Sequence, residues 1–142
     1  MLSAADAAEV VDRARTAQAD WAERPLKARI DLVMAGVAAV GDMNDEIVPE
    51  LAWQMGRPVR YGGEFGGFNE RASWMAGIAA EALADITVED SDAFRRVIKR
   101  VPHGVVLVVA PWNYPYMTAI NTVAPALIAG NAVMLKHASQ TP

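Results

Sequence analysis

The chain has 142 residues, no cysteine, 53% hydrophobic residues and a formal net charge of −4. Without cysteine it can form neither a disulfide nor a cysteine-type zinc site, and its acidic balance gives no bulk attraction to nucleic acid or to an anionic membrane. No apolar run approaches the ~18 residues of a membrane span, and the start Met-Leu-Ser-Ala-Ala-Asp lacks the charged and apolar regions of a signal peptide, so a cytoplasmic protein is expected.

Ser3 and Asp6 have the spacing of a capping box, which predicts a helix over Ala4–Ala22 with Val10, Ala14, Ala17 and Trp21 on one side. Pro25 suits the first turn of a second helix, in which Leu26, Ile30, Val33, Met34, Val37 and Val40 recur at helical spacing and Gly41 serves as the C′ residue. Asn44 or Asp45 caps a third helix bearing Ile47, Val48, Leu51 and Met55, closed by Gly56, with Pro49 early enough to be tolerated. Tyr61 to Leu83 is predicted as a fourth helix despite Gly62, Gly63, Gly66, Gly67 and Gly77. Each of these glycines costs roughly 1 kcal/mol relative to alanine and suits close packing against a neighbouring helix. Met34, Met43, Met55 and Met75, with Trp53 and Trp74, read as core filling.

Asp85 to Val101 reads as a loop and an extended segment. The cations of Phe94-Arg-Arg-Val-Ile-Lys-Arg100 are expected to face water as edge protection, not to bind nucleic acid. Val105 to Ala110 is a continuous apolar run, as expected of a strand buried on both faces of a parallel sheet, and Pro111 ends it. Trp112, Asn113 and Tyr114 then lie on a loop at the carboxyl end of a parallel strand, where ligands bind in open α/β sheets. Tyr116 to Ala129 is the next helix, with Pro115 at its start, Pro125 expected to kink it or break its last turn, and Gly130 at C′. Ala132 to Leu135 forms the following parallel strand, with Lys136 at its carboxyl end. One βαβ unit thus brings Asn113 and Lys136 to the same sheet edge, the arrangement of a nucleotide-linked site.

On the residues alone, Asn113 is either an active-site hydrogen-bond donor or a cap of the following helix, and Lys136 is either a ligand or a plain strand-end lysine. His103 and His137 have no nearby acidic partners, and no metal site is expected. Glu64 and Glu70 have acid–base chemistry, but nothing in the sequence singles either out.

Three motifs in order, Ala110-Pro-Trp-Asn-Tyr-Pro115, Ala124-Pro-Ala-Leu-Ile-Ala-Gly-Asn131 and Val133-Met-Leu-Lys136, closely resemble the aldehyde dehydrogenase superfamily. Trp21 to Arg29 and Glu50 to Pro58, with Gln54-Met-Gly-Arg-Pro58, resemble its amino-terminal helices, and the likeness can be followed from about residue 8 to 142. The resemblance implies oxidation of an aldehyde on NAD or NADP through a cysteine thioester. It makes Asn113 the donor to the tetrahedral oxyanion and Lys136 the ligand of the adenosine ribose. Backbone at Val109, Ala110, Pro111, Trp112 and Asn113 would line the cofactor cleft. It also implies an α/β fold in three parts: helices over 1–84, a hairpin used in subunit assembly over 85–103, and the start of a Rossmann-like parallel sheet over 104–142. A homo-oligomer, or association through an exposed sheet, is expected.

The departures from the family pattern carry expectations of their own. Most members follow this lysine with Pro-x-Glu, whose carboxylate holds the ribose diol; here His137-Ala138-Ser139 follows. Ser139 would not repel a 2′-phosphate as a carboxylate would, which leans toward tolerance of NADP. Many members carry a lysine where this chain has Thr122, and Lys-His-Ala resembles the succinate-semialdehyde branch. The family's nucleophilic cysteine, general-base glutamate and glycine-rich turn have no counterpart in these residues. The chain alone is therefore expected to be an inactive amino-terminal fragment. The alternative is a non-catalytic truncated or assembly-forming domain.

Overall fold

The Ser3 hydroxyl accepts the Asp6 amide at 3.2 Å and Asp6 Oδ2 accepts the Ser3 amide at 2.8 Å, so the capping box forms as its spacing predicts in a computed structural model that describes residues 3–142. The Ser3 amide and hydroxyl, both donating to the ionised carboxylate, hold Asp6 below the usual carboxylate range. The box opens α1 (Ala4–Ala22); α2 (Leu26–Asp42), α3 (Asn44–Met55), a 3₁₀ turn (Val59–Tyr61) and α4 (Phe65–Ala82) follow. The chain continues through β1 (Ile86–Asp90), β2 (Arg95–Ile98), β3 (Val105–Val109), α5 (Pro115–Ile128) and β4 (Ala132–Lys136). The result is the α/β order the sequence predicts: helices, a hairpin, then one βαβ unit.

Two boundaries differ from expectation. Gly41 does not end α2, which runs on to Asp42 and leaves only Met43 before α3; neither Asn44 nor Asp45 caps α3. The fourth helix begins at Phe65, not Tyr61, because Tyr61 belongs to the 3₁₀ turn that precedes it and Gly62 then passes close to α3. A Cβ at Gly62 would lie 2.8 Å from Val48 Cγ1, so only glycine allows this approach to α3. Of the α4 glycines, Gly67 packs directly on the Met117 thioether and lets α4 meet α5 closely, whereas Gly66 and Gly77 face open space.

The core lies between α2, α4 and α5, where Val33, Val37, Phe68, Ala72, Ala79, Ile120, Ala124 and Ile128 form one buried cluster. Trp53 and Trp74 are not part of it. They are 88% and 65% exposed, on helix faces that no other described element covers, and Met43 is exposed as well. Apolar character alone misplaced these three, because it does not tell which helix face meets a neighbour.

α5 is held at its far end by other elements. Trp21 Nε1 donates to the Leu127 carbonyl at 2.8 Å, Arg29 Nε to Ile128 at 2.9 Å, Gln18 Nε2 to Gly130 at 3.0 Å and Asn131 Nδ2 to Ala126 at 3.0 Å. The last carbonyls of a helix have no partner within it, and side chains supply them here. Pro125 falls inside this anchored turn, and α5 passes through it to Ile128 without a break.

β3 and β4 pair in parallel from Val105↔Ala132 to Val109↔Lys136. Alternation along the strands turns Val108 and Ala110 toward the helices, 5% and 6% exposed, and leaves Leu107 and Val109 63% and 65% exposed on the other face. Towards the carboxyl end of the run the described residues thus cover one face and leave the other open. β1 and β2 form a separate antiparallel hairpin with an irregularity between Thr87 and Glu89. Arg95 and Arg96 are exposed on it. Arg96 lies 5.2 Å over the Phe94 ring and 3.3 Å from Glu89. Among the described residues no helix is long and apolar enough to cross a membrane.

Candidate functional site

The carboxyl edge of the two-stranded sheet is built by backbone pairing. The Ala110 amide donates to the Lys136 carbonyl at 3.0 Å, extending the ladder one residue past β3 before Pro111 ends it. Trp112 and Asn113 follow, both exposed. Tyr114 then adopts a left-handed conformation with φ 50°, the single non-glycine residue with positive φ among those described, and Pro115 starts α5. For a residue other than glycine this conformation costs about 1–2 kcal/mol, so the turn needs support from outside itself.

That support comes from a residue pair far away in sequence. Glu64 is 4% exposed, and its Oε2 accepts the amides of Tyr116 at 3.0 Å and Met117 at 3.1 Å, two of the free N–H groups at the head of α5. Its Oε1 receives Arg57 Nη2 at 3.0 Å, and the same nitrogen donates to the Gly62 carbonyl at 2.8 Å. The Arg57 guanidinium carbon sits 5.0 Å over the Tyr114 ring centroid. Arg71 adds a bond to the Met117 carbonyl at 3.0 Å. Burial, then the charges of Glu50 and Glu64, push the Tyr116 phenol upward.

This geometry decides one of the alternatives left open by the residues. The residue at the N-cap position is Tyr114, with no side-chain cap bond, and Glu64 has taken the amides that a capping Asn113 would need. Asn113 is thus left on the solvent side of the turn, its amide group without a hydrogen-bond partner among the described residues.

The remaining predicted site residues gather at the same edge. Val109 pairs with Lys136, Pro111 and Trp112 come next, and the Lys136 ammonium donates to the His137 carbonyl at 2.7 Å while staying exposed. By alternation Val109 and Lys136 share the open face of the sheet. Ser139 is exposed in the segment after β4, which folds back on α3 through Gln140 Nε2 and the Gln54 carbonyl at 3.0 Å. An ammonium, a hydroxyl and an exposed strand-end backbone, with no carboxylate between His137 and Pro142, suit a polyhydroxylated ligand carrying phosphate. A cavity of about 360 Å³ lies on the other, helix-side face, lined by Leu51, Ala110, Pro115, Tyr116, Leu135 and Thr141 among others. Of the predicted site residues only Ala110 reaches it. His103 and His137 are both exposed, beyond opposite ends of the parallel strands and so more than roughly 20 Å apart, too far to share a metal ion.

Sequence reading missed the residues that hold this edge in place. Glu64 is a lone carboxylate in a glycine-rich apolar stretch, and that isolation was the available signal. Asn131, 4% exposed, accepts the Gly104 amide at 3.0 Å and ties the starts of β3 and β4 together. Its motif was visible, but its role needed the partner 27 residues away.

The chain is similar to 3-sulfolactaldehyde dehydrogenase of Pseudomonas putida, 30% identical over 142 residues, which covers 99% of this chain and 29% of the relative. Among solved structures it is similar to succinic semialdehyde dehydrogenase from Streptococcus pyogenes in complex with NADP⁺, with a TM-score of 0.85 and 27% identity over 99% of this chain and 31% of the other. It is also similar to an NAD-dependent benzaldehyde dehydrogenase from Corynebacterium glutamicum, with a TM-score of 0.86 and 30% identity over 97% of this chain and 31% of the other. The chain thus spans less than a third of the length of these proteins. The aldehyde dehydrogenase family matches residues 1–142, the whole chain, and the chain belongs to that family.

Proposed function

We propose that these residues form the amino-terminal, cofactor-facing part of an NAD(P)⁺-dependent aldehyde dehydrogenase, with Asn113 as donor to the oxyanion that develops when a thiolate adds to the aldehyde. The observation that carries this reading is the turn from Pro111 to Pro115, which presents Asn113 to solvent while Glu64 does the capping of α5. An amide donor stays neutral at every relevant pH, and when held rigidly toward developing charge such a donor is worth about 3 kcal/mol.

The cofactor would lie across the open carboxyl edge, against backbone at Val109, Ala110, Pro111 and Trp112, with Lys136 donating to the adenosine ribose and Ser139 beside its 2′ position. When bound, its nicotinamide supplies the hydride acceptor. Lys136 orients the ribose, and Ser139 leaves room for a 2′-phosphate without charge repulsion. The aldehyde's carbonyl oxygen would sit within hydrogen-bond reach of the Asn113 amide. The three-part division at residues 84 and 103 belongs to the same reading, with the hairpin between them serving subunit association: its Ile86, Val88, Phe94 and Ile98 side chains are 45–61% exposed. The reacting thiolate would come from outside these residues, which contain no cysteine. On their own they are proposed to turn over no aldehyde.

The test is Asn113→Ala in the complete enzyme. We expect kcat to fall about a hundredfold with cofactor affinity nearly unchanged. A collapse of cofactor binding with kcat retained would make Asn113 structural and overturn the reading.

A further inference from the structure

We propose that Arg57 and Glu64 are positioning residues for Asn113: together they clamp the Pro111–Pro115 turn from the helical half of the chain and set the direction of its amide. This inference rests on the reading of Asn113 as an oxyanion donor.

The clamp has three points of contact. Glu64 grips the first turn of α5 through two backbone amides, at 3.0 and 3.1 Å, which fixes where the helix starts. Arg57 holds the other Glu64 oxygen at 3.0 Å and the Gly62 carbonyl at 2.8 Å, which fixes Glu64. The Arg57 guanidinium lies over the Tyr114 ring at 5.0 Å, and so supports the left-handed residue directly after Asn113. Pro111 limits the turn from the strand side. Asn113 therefore sits between a backbone ladder and a helix start that are each held independently, while its own side chain makes no hydrogen bond among the described residues.

The pair is buried, with side chains 12% and 2% exposed, and Arg57 Nε and Nη1 are buried without a partner among the described residues. A buried ion pair with unfilled donors is a poor source of stability compared with apolar filling. Its geometric effect is specific: an acceptor pair at the head of a helix and a planar cation over a ring leave the turn little freedom. Alignment matters steeply here, since a displacement of about 1 Å can cost on the order of a hundredfold in rate.

The experiment is a double-mutant cycle in the complete enzyme. Glu64→Gln keeps the size and one acceptor oxygen but turns an NH₂ group toward Arg57; Arg57→Lys keeps the charge but loses the planar stack. Each is expected to lower kcat about tenfold with the KM for cofactor within about twofold, and to have no further effect on kcat once Asn113 is alanine. Equal losses with and without Asn113, or unchanged kcat in both variants, would overturn the clamp. If Asn113→Ala itself leaves kcat unchanged, the oxyanion reading fails instead, so the two failures are distinct. Should Glu64→Gln not fold, Arg57→Lys and Tyr114→Leu, which removes an exposed ring, complete the same cycle.

Discussion

Arg29 offers a sharp test of how this fold is held. Its Nε donates to the Ile128 carbonyl at 2.9 Å and its Nη1 to the carbonyls of Ala22, at 3.1 Å, and of Arg24. One side chain on α2 thus joins the end of α1 to the end of α5, and its positive charge lies at two helix carboxyl termini, where the helix dipole favours it. Arg29→Met keeps most of the apolar stem and removes all three bonds. A hydrogen bond from a charged donor is worth about 1.5–3 kcal/mol, and the site is only half-buried, so water recovers part of the loss; we expect about 3 kcal/mol in all. Against the 5–15 kcal/mol typical of a folded domain, that is a large share. Urea unfolding, followed by tryptophan fluorescence at one fixed protein concentration, should show the midpoint lowered by about 1–2 M with an unchanged slope. Lys27→Met is the control. Its ion pair with Asp31, at 2.7 Å, is exposed on both sides, and its removal should cost no more than about 0.5 kcal/mol. An Arg29→Met midpoint indistinguishable from that control would refute the reasoning.

Other outcomes follow from particular side chains. The isolated chain should self-associate in sedimentation, since Leu107 and Val109 are 63% and 65% exposed on one sheet face, and Leu107→Lys with Val109→Lys should reduce this; a compact monomer with a sharp unfolding transition would contradict it. In the complete enzyme NADP⁺ should serve at least as well as NAD⁺, and Ser139→Glu should shift the ratio toward NAD⁺; a tenfold preference of the unaltered enzyme for NAD⁺ would oppose this. Burial and two carboxylates raise the Tyr116 phenol, so its contribution to stability is complete below about pH 10 and is lost as pH rises through the raised folded value. Tyr116→Phe should unfold less readily than the parent in that alkaline window; identical alkaline unfolding curves would show that Tyr116 does not report the burial assigned to it.

Local chemistry was enough to read the capping box at Ser3, the βαβ order, the end of β3 at Pro111 and the placing of Asn113 and Lys136 at one edge. Each depends on residues close in sequence: a cap and its partner three residues on, a proline that cannot donate, a strand whose apolar run has a definite length. The outward faces of α3 and α4 were misread at Trp53 and Trp74, because an apolar residue on a helix does not declare which neighbour, if any, covers it.

The sequence by itself determined the family and the order of the elements. Only the tertiary structure decided what keeps Asn113 free. The head of α5 is capped by Glu64, 52 residues earlier than Tyr116, and its tail by Gln18, Trp21 and Arg29, which approach from α1 and α2. A helix end must find partners for its backbone groups, and many side chains could supply them. Which ones do is set by how the helices pack, and no spacing within the sequence carries that information.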